Sequence, residues 1–138
     1  MAAPEDFTKI VVWQESQDLA AKVARIVATL PRNRAAEIIG NQMMRSAGSV
    51  PANIAEGYGR YSQAAYRSHL SIARGSLFET QSWIDLLYRT GFMDESTKAK
   101  LISDCQSVGK LLTLRMKSLA NGNLSYAREE GEGYSVEL

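Results

Sequence analysis

Arg60, Arg67 and Arg74 recur at intervals of seven residues. On a shared helix such positions stay within about 20° per step of one face, and guanidinium groups in that arrangement suit the phosphates of a nucleic-acid backbone. The same arginines can instead pair with carboxylates such as Glu56 and Glu79, within the protomer or across a contact between subunits. Arg45 is a fourth candidate, with Arg34 eleven residues before it and so close to three helical turns away. Lys98, Lys100, Lys110 and Lys117 follow later in the chain, and scattered lysines of this kind are explained equally well by a solvated face.

Asn53 and Glu56 are spaced for one helical face beside an apolar seam. A polar pair in that place must be hydrogen-bonded if it is buried, so Asn53, Glu56 and Glu79 are expected to form a structural network with Arg60 or Arg74. Nothing nearby completes an acid and base pair. His69 is the only histidine and Cys105 the only cysteine, which leaves no constellation for a metal. Cys105 falls on an apolar seam, the setting of an inert thiol rather than a nucleophile. Gly57-Tyr58-Gly59 follows no strand and precedes no suitably placed lysine, so it is no phosphate loop. The sequence therefore predicts no catalytic residue, no cofactor, no metal and no small-molecule substrate.

Four helical segments must position these residues. Trp13, Ala20, Val23, Val27 and Leu30 mark one face of the first, which Pro31 ends. Ile39, Met43, Ala47, Val50 and Ile54 mark the second, with Pro51 inside it and a kink expected there. Tyr66, Leu70, Ala73, Leu77, Thr80, Ile84 and Leu87 give the third a seam in alternating steps of four and three, opened by Ser62 as N-cap and stopped by Gly91. Asp94 caps the fourth, which carries Leu101, Cys105, Val108, Leu112 and Leu119 before Asn121-Gly122-Asn123 terminates it. The predicted architecture is all-α: an up-down-up-down four-helix bundle over 13–120, an N-terminal extension over 1–12 and a flexible acidic tail over 121–138.

A chain of 138 residues supports one core. A hydrophobic share of 45% and a charged share of 22% argue against wholesale disorder. No stretch is apolar for long enough to span a bilayer, and the acidic start carries no secretory signal, so a cytoplasmic protein without membrane attachment is expected. The net charge of +1 conceals an asymmetry. The tail holds Arg128 against Glu129, Glu130, Glu132 and Glu137, which leaves residues 1–120 with 15 basic and 11 acidic groups, or +4.

Three stretches together resemble the four-helix-bundle family of 23S rRNA-intervening-sequence proteins, which includes the accessory variability determinant of diversity-generating retroelements. They are Val12-Trp13-Gln14, the run Ser49-Val50-Pro51-Ala52-Asn53-Ile54-Ala55-Glu56-Gly57-Tyr58-Gly59-Arg60, and Ile72-Ala73-Arg74-Gly75-Ser76-Leu77-Phe78-Glu79. The resemblance implies a four-helix protomer assembled as a homopentamer, without enzymatic activity. For the retroelement relatives it further implies binding to a reverse transcriptase and to nucleic acid through basic surfaces. Those relatives are markedly basic, whereas this chain is nearly neutral. The expected function is thus a homo-oligomeric scaffold or adaptor that engages RNA, DNA or a nucleic-acid-processing protein, with Arg45, Arg60, Arg67 and Arg74 as candidate contacts. The alternative is an oligomer that contacts proteins alone.

Overall fold

Asn33, Ser62 and Asp94 each stand in extended backbone and turn a side-chain oxygen toward an amide three residues on. Asn33 accepts from Ala36 at 2.9 Å, Ser62 from Ala65 at 3.0 Å and Asp94 from Thr97 at 2.7 Å. Each cap satisfies an amide that the helix leaves orphaned, a contribution of about 1 kcal/mol. They open the last three of four helices in the computed structural model, which describes residues 6–121: α1 (Val11–Val27), α2 (Arg34–Tyr58), α3 (Gln63–Arg89) and α4 (Glu95–Ala120). No strand occurs among the described residues. The acidic tail, apart from Asn121, lies outside them, as do residues 1–5.

The first helix starts earlier than its apolar spacing suggests. A short 3-10 turn, Phe7–Lys9, leads into it, Ile10 is fully buried, and Phe7 meets Trp13 edge to face at 5.1 Å. The buried face of α1 is also rotated from the expected one. It runs through Val12, Ser16, Leu19, Ala20 and Val23, while Trp13, Val27 and Leu30 pack at its margin. Ser16 tolerates burial because its hydroxyl donates to the carbonyl of Trp13 at 2.9 Å.

Elsewhere the seams fall where periodicity puts them. All seven expected seam residues of α3 are buried, and they are the buried residues of that helix. Gly91 takes a φ of 83°, the left-handed conformation that stops α3, and the Phe92 amide then bonds back to the carbonyl of Leu87 at 2.9 Å. Helix α2 continues unbroken through Pro51, which is itself buried. Contacts join α1 with α2, α2 with α3, α3 with α4 and α4 with α1, the α2–α3 contact being the most extensive.

That contact is close because Gly57 permits it. A Cβ on Gly57 would fall 2.5 Å from the Cβ of His69, so the last turn of α2 rests directly on α3. A chain of hydrogen bonds also runs along the contact. Ser46 and Thr80 hydroxyls lie 2.7 Å apart, Thr80 donates to the Ser76 carbonyl at 2.8 Å, and Ser76 and Ser49 hydroxyls are separated by 2.9 Å. The Asn53 amide donates to the Ser49 carbonyl at 2.9 Å, and its oxygen faces Nδ1 of His69 at 3.1 Å. Contacts advance along α2 as they retreat along α3, so these two helices run antiparallel.

Candidate nucleic-acid interface

The seven-residue interval brings Arg67 and Arg74 to the same side of α3, about 10.5 Å apart along its axis. Lys110 and Lys117 repeat that interval on α4. The two pairs face each other across a groove between the helices, formed by two adjoining depressions of about 580 Å³ and 790 Å³ that share Arg74 and Thr113. Arg67, Arg74 and Lys117 line the first, and Arg74 and Lys110 the second. Among the described residues no carboxylate lines either. Among the described residues none of the four cations is ion-paired.

Arg74 is also braced. Its guanidinium lies 4.7 Å from the centre of the Phe78 ring, one helical turn on. A guanidinium held over an aromatic face loses less freedom when it meets a phosphate. Phe78 itself is half exposed, at 50%, and offers a ring at the edge of the groove. The chemistry available is electrostatic: four fixed positive charges along a channel, with neighbouring hydroxyls of Ser68, Ser71 and Thr113 as neutral donors.

The four arginines singled out from the sequence therefore separate. Arg67 and Arg74 reach the groove. Arg60 does not share their helix, because Ser62 caps α3 and leaves Arg60 in the turn before it, where it pairs with Glu56 at 2.5 Å. Arg45 stands exposed on α2, 3.5 Å from Gln42 Oε1, on a helix that does not line the groove.

The polar residues likewise divide. Asn53 joins the α2–α3 hydrogen-bond chain through Ser49 and His69, and Glu56 lies 3.9 Å from Nε2 of the same histidine. Glu79 stands apart and accepts from the indole N–H of Trp83 at 3.0 Å. Arg74, offered as a partner for that network, points instead to Phe78 and the groove. The long stretch from Ser49 to Arg60 is thus accounted for by packing. Val50, Pro51, Ile54 and Gly57 are buried, Ser49 and Asn53 bond across to α3, and Tyr58 meets Tyr66 edge to face at 5.7 Å.

Burial, and secondarily the charge of Asp104, pushes the Cys105 thiol up to about 12, far from the range of a nucleophile at neutral pH. No group of three or more metal-ligating side chains occurs among the described residues. No described helix is long and apolar enough to cross a membrane.

Two features escaped the sequence reading. Lys110 and Lys117 were visible as residues, but only the rotation of α4 against α3 turns them onto the arginines. Arg115, near the C-terminal end of α4, is fully buried, with its guanidinium 5.9 Å from the Tyr66 ring centre. Its seam position, three residues after Leu112 and four before Leu119, was the available signal.

Residues 8–114 match the family model of the 23S rRNA-intervening sequence protein. The chain belongs to that family. A crystal structure of a protein with unknown function from the S23 ribosomal protein family of Bacteroides thetaiotaomicron superposes with a TM-score of 0.74. It is 28% identical and covers 78% of this chain and 96% of its own. No curated protein matches the chain. The matched span of the family model includes the seams of α1, α2 and α3, that of α4 as far as Leu112, and the groove as far as Lys110 and Thr113, while Lys117, Leu119 and the tail lie beyond it.

Proposed function

We propose that the protein is a non-enzymatic homo-oligomeric scaffold that binds structured RNA or duplex DNA through the α3–α4 groove, or presents that groove to a nucleic-acid-processing protein. The observation that carries this reading is the gathering of Arg67, Arg74, Lys110 and Lys117 along one channel that no described carboxylate lines. Phosphate contacts of this kind supply sequence-independent affinity through release of condensed counterions. The family's name, which refers to 23S rRNA, fits an RNA ligand.

The assembly in this reading is an up-down-up-down bundle repeated as a pentamer, the arrangement implied by the family resemblance. Ile38 on α2, 54% exposed, and Ile72 and Leu86 on α3, 49% and 37% exposed, supply apolar surface for contacts between copies. Ile72 and Leu86 are fourteen residues apart and share a helical face. A cytoplasmic setting goes with an RNA ligand and a single unpaired cysteine.

A fluorescence-anisotropy titration against structured RNA and duplex DNA tests the reading, with oligomer mass fixed by light scattering. Neutralising four phosphates per groove gives a slope of log affinity against log salt of about −3.6 for duplex DNA. The Arg67→Ala, Arg74→Ala, Lys110→Ala, Lys117→Ala variant should remain folded and lose that binding. An intact wild-type oligomer that binds neither nucleic acid at low salt overturns direct nucleic-acid binding by the groove. The second reading, an oligomer that contacts proteins alone, draws on the net charge of +1 and would then stand.

A further inference from the structure

We propose that the acidic segment Glu129–Glu137 of the same chain docks in the α3–α4 groove when no polyanion is bound, so that nucleic acid must displace it. This rests on the groove being the phosphate-binding surface described above.

Three observations converge on that occupant. The groove offers Arg67, Arg74, Lys110 and Lys117 with no lining carboxylate among the described residues, and the segment offers Glu129, Glu130, Glu132 and Glu137 without an internal cation. The chain also leaves α4 at the groove itself, because Ala120, its last helical residue, lines the same depression as Lys117. Finally, the lengths fit. Nine residues from Ala120 to Glu129 reach up to about 30 Å, whereas the ten-residue distance back along α4 to Lys110 is about 15 Å.

A second cationic depression is a poorer host. It lies between α1 and α4 beside Lys22, Arg25 and Lys100, but it contains Asp104, bonded to Lys22 at 2.7 Å, and sits toward the far end of α4. A tethered acidic segment faces its groove at an effective concentration on the order of millimolar. Weak exposed pairs, each modest alone, then suffice to occupy it at low salt, and screening releases them as salt rises.

Zero-length carbodiimide coupling of the full-length protein, read by mass spectrometry, tests this directly. Amide bonds are expected from Lys110 and Lys117 to Glu129, Glu130 or Glu132, and Lys110 is diagnostic because sequence proximity alone does not bring it there. Coupling should fall at least fivefold in 0.5 M salt or with excess heparin, and a mixture of heavy-isotope and unlabelled protein should give crosslinks within single chains. Coupling spread evenly over Lys22, Lys98 and Lys100, no coupling at Lys110, or crosslinks between chains each overturn the proposal. In parallel, the Glu129→Gln, Glu130→Gln, Glu132→Gln, Glu137→Gln variant should bind RNA about tenfold more tightly at low salt and equally at 0.5 M salt. If Lys110 couples to the segment but neither protein binds nucleic acid, the tail docks and the nucleic-acid reading fails. If both bind RNA equally at low salt and Lys110 does not couple, the reverse holds.

Discussion

Gly57 and His69 approach so closely that a Cβ on the glycine would fall 2.5 Å from the Cβ of the histidine. That atom belongs to the root of the side chain and cannot swing aside, so an added methyl must push α2 and α3 apart. Gly57→Ala is expected to destabilise the protein by about 1–3 kcal/mol, as overpacking does. Gly75→Ala has open space at its Cβ and gains helix propensity, so it should be neutral or stabilising by up to about 1 kcal/mol. Urea unfolding midpoints decide the matter, and equal midpoints for Gly57→Ala and wild type would refute the close contact.

Arg60 and the Arg67–Arg74 pair should separate in nucleic-acid binding. Replacing Arg67 and Arg74 by Gln removes two groove cations and should flatten the salt slope by about 2. Arg60→Gln breaks an exposed pair with Glu56, with an effect on stability of about 0–1 kcal/mol, and should leave the slope unchanged. A similar loss from both variants would remove the groove from its assigned role.

Phe78 braces Arg74 from the exposed side, so Phe78→Ala should cost little stability and a few-fold in RNA affinity. The expected loss corresponds to about 0.5–1 kcal/mol for an exposed cation–π contact. Anisotropy at constant salt measures it, and Phe78→Tyr should retain wild-type affinity.

Hydrogen bonds from Lys98 and then from Arg89 hold the Asp85 carboxyl below its ordinary value of 3.8. A carboxyl depressed by folding adds stability above its unfolded pKa, and that stability is lost as pH falls through the folded value. Acid unfolding of wild type should therefore steepen below about pH 4. Asp85→Asn should lower stability at neutral pH and flatten the acid limb, as read by denaturant midpoints from pH 2.5 to 7.

Cys105 predicts the opposite limb. Burial raises the thiol from 9.0 to about 12, so the unfolded chain ionises first as pH rises. Stability is whole below about pH 9 and declines as pH climbs toward 12. Cys105→Ala should remove that part of the alkaline slope while making a small cavity. A thiol reagent at neutral pH should react with wild type only as fast as the protein opens.

Much of the fold was legible because an apolar seam leaves a periodic trace. The steps of four and three from Tyr66 to Leu87 placed every buried residue of α3, and Ser62 and Asp94 marked the helix starts. The face of α1 was harder to read, since its buried set includes Ser16, whose hydroxyl is satisfied locally, and excludes Trp13. The burial of Arg115 was not legible, because a charge on a seam looks the same in sequence as a charge on a surface. For the groove, seven-residue spacing found Arg67 and Arg74 but gathered Arg60 with them, as spacing does not see a helix begin. Lys110 and Lys117 needed the packing angle between two helices, which no single helix encodes.

The hydroxyls between α2 and α3 set the register of the bundle. Ile39, Met43, Val50 and Ile54 are similar enough that an apolar seam would accept a slip of one helical turn. Such a slip would set Val50 opposite Thr80 and Gly57 opposite Nδ1 of His69, in place of Ser46 and Asn53. The Thr80 and Ser46 hydroxyls would keep only their bonds to carbonyls of their own helices, and a half-buried Nδ1 of His69 left without Asn53 costs about 1–3 kcal/mol. The apolar residues hold the helices together, and a few small polar ones decide which turn of α2 meets which turn of α3.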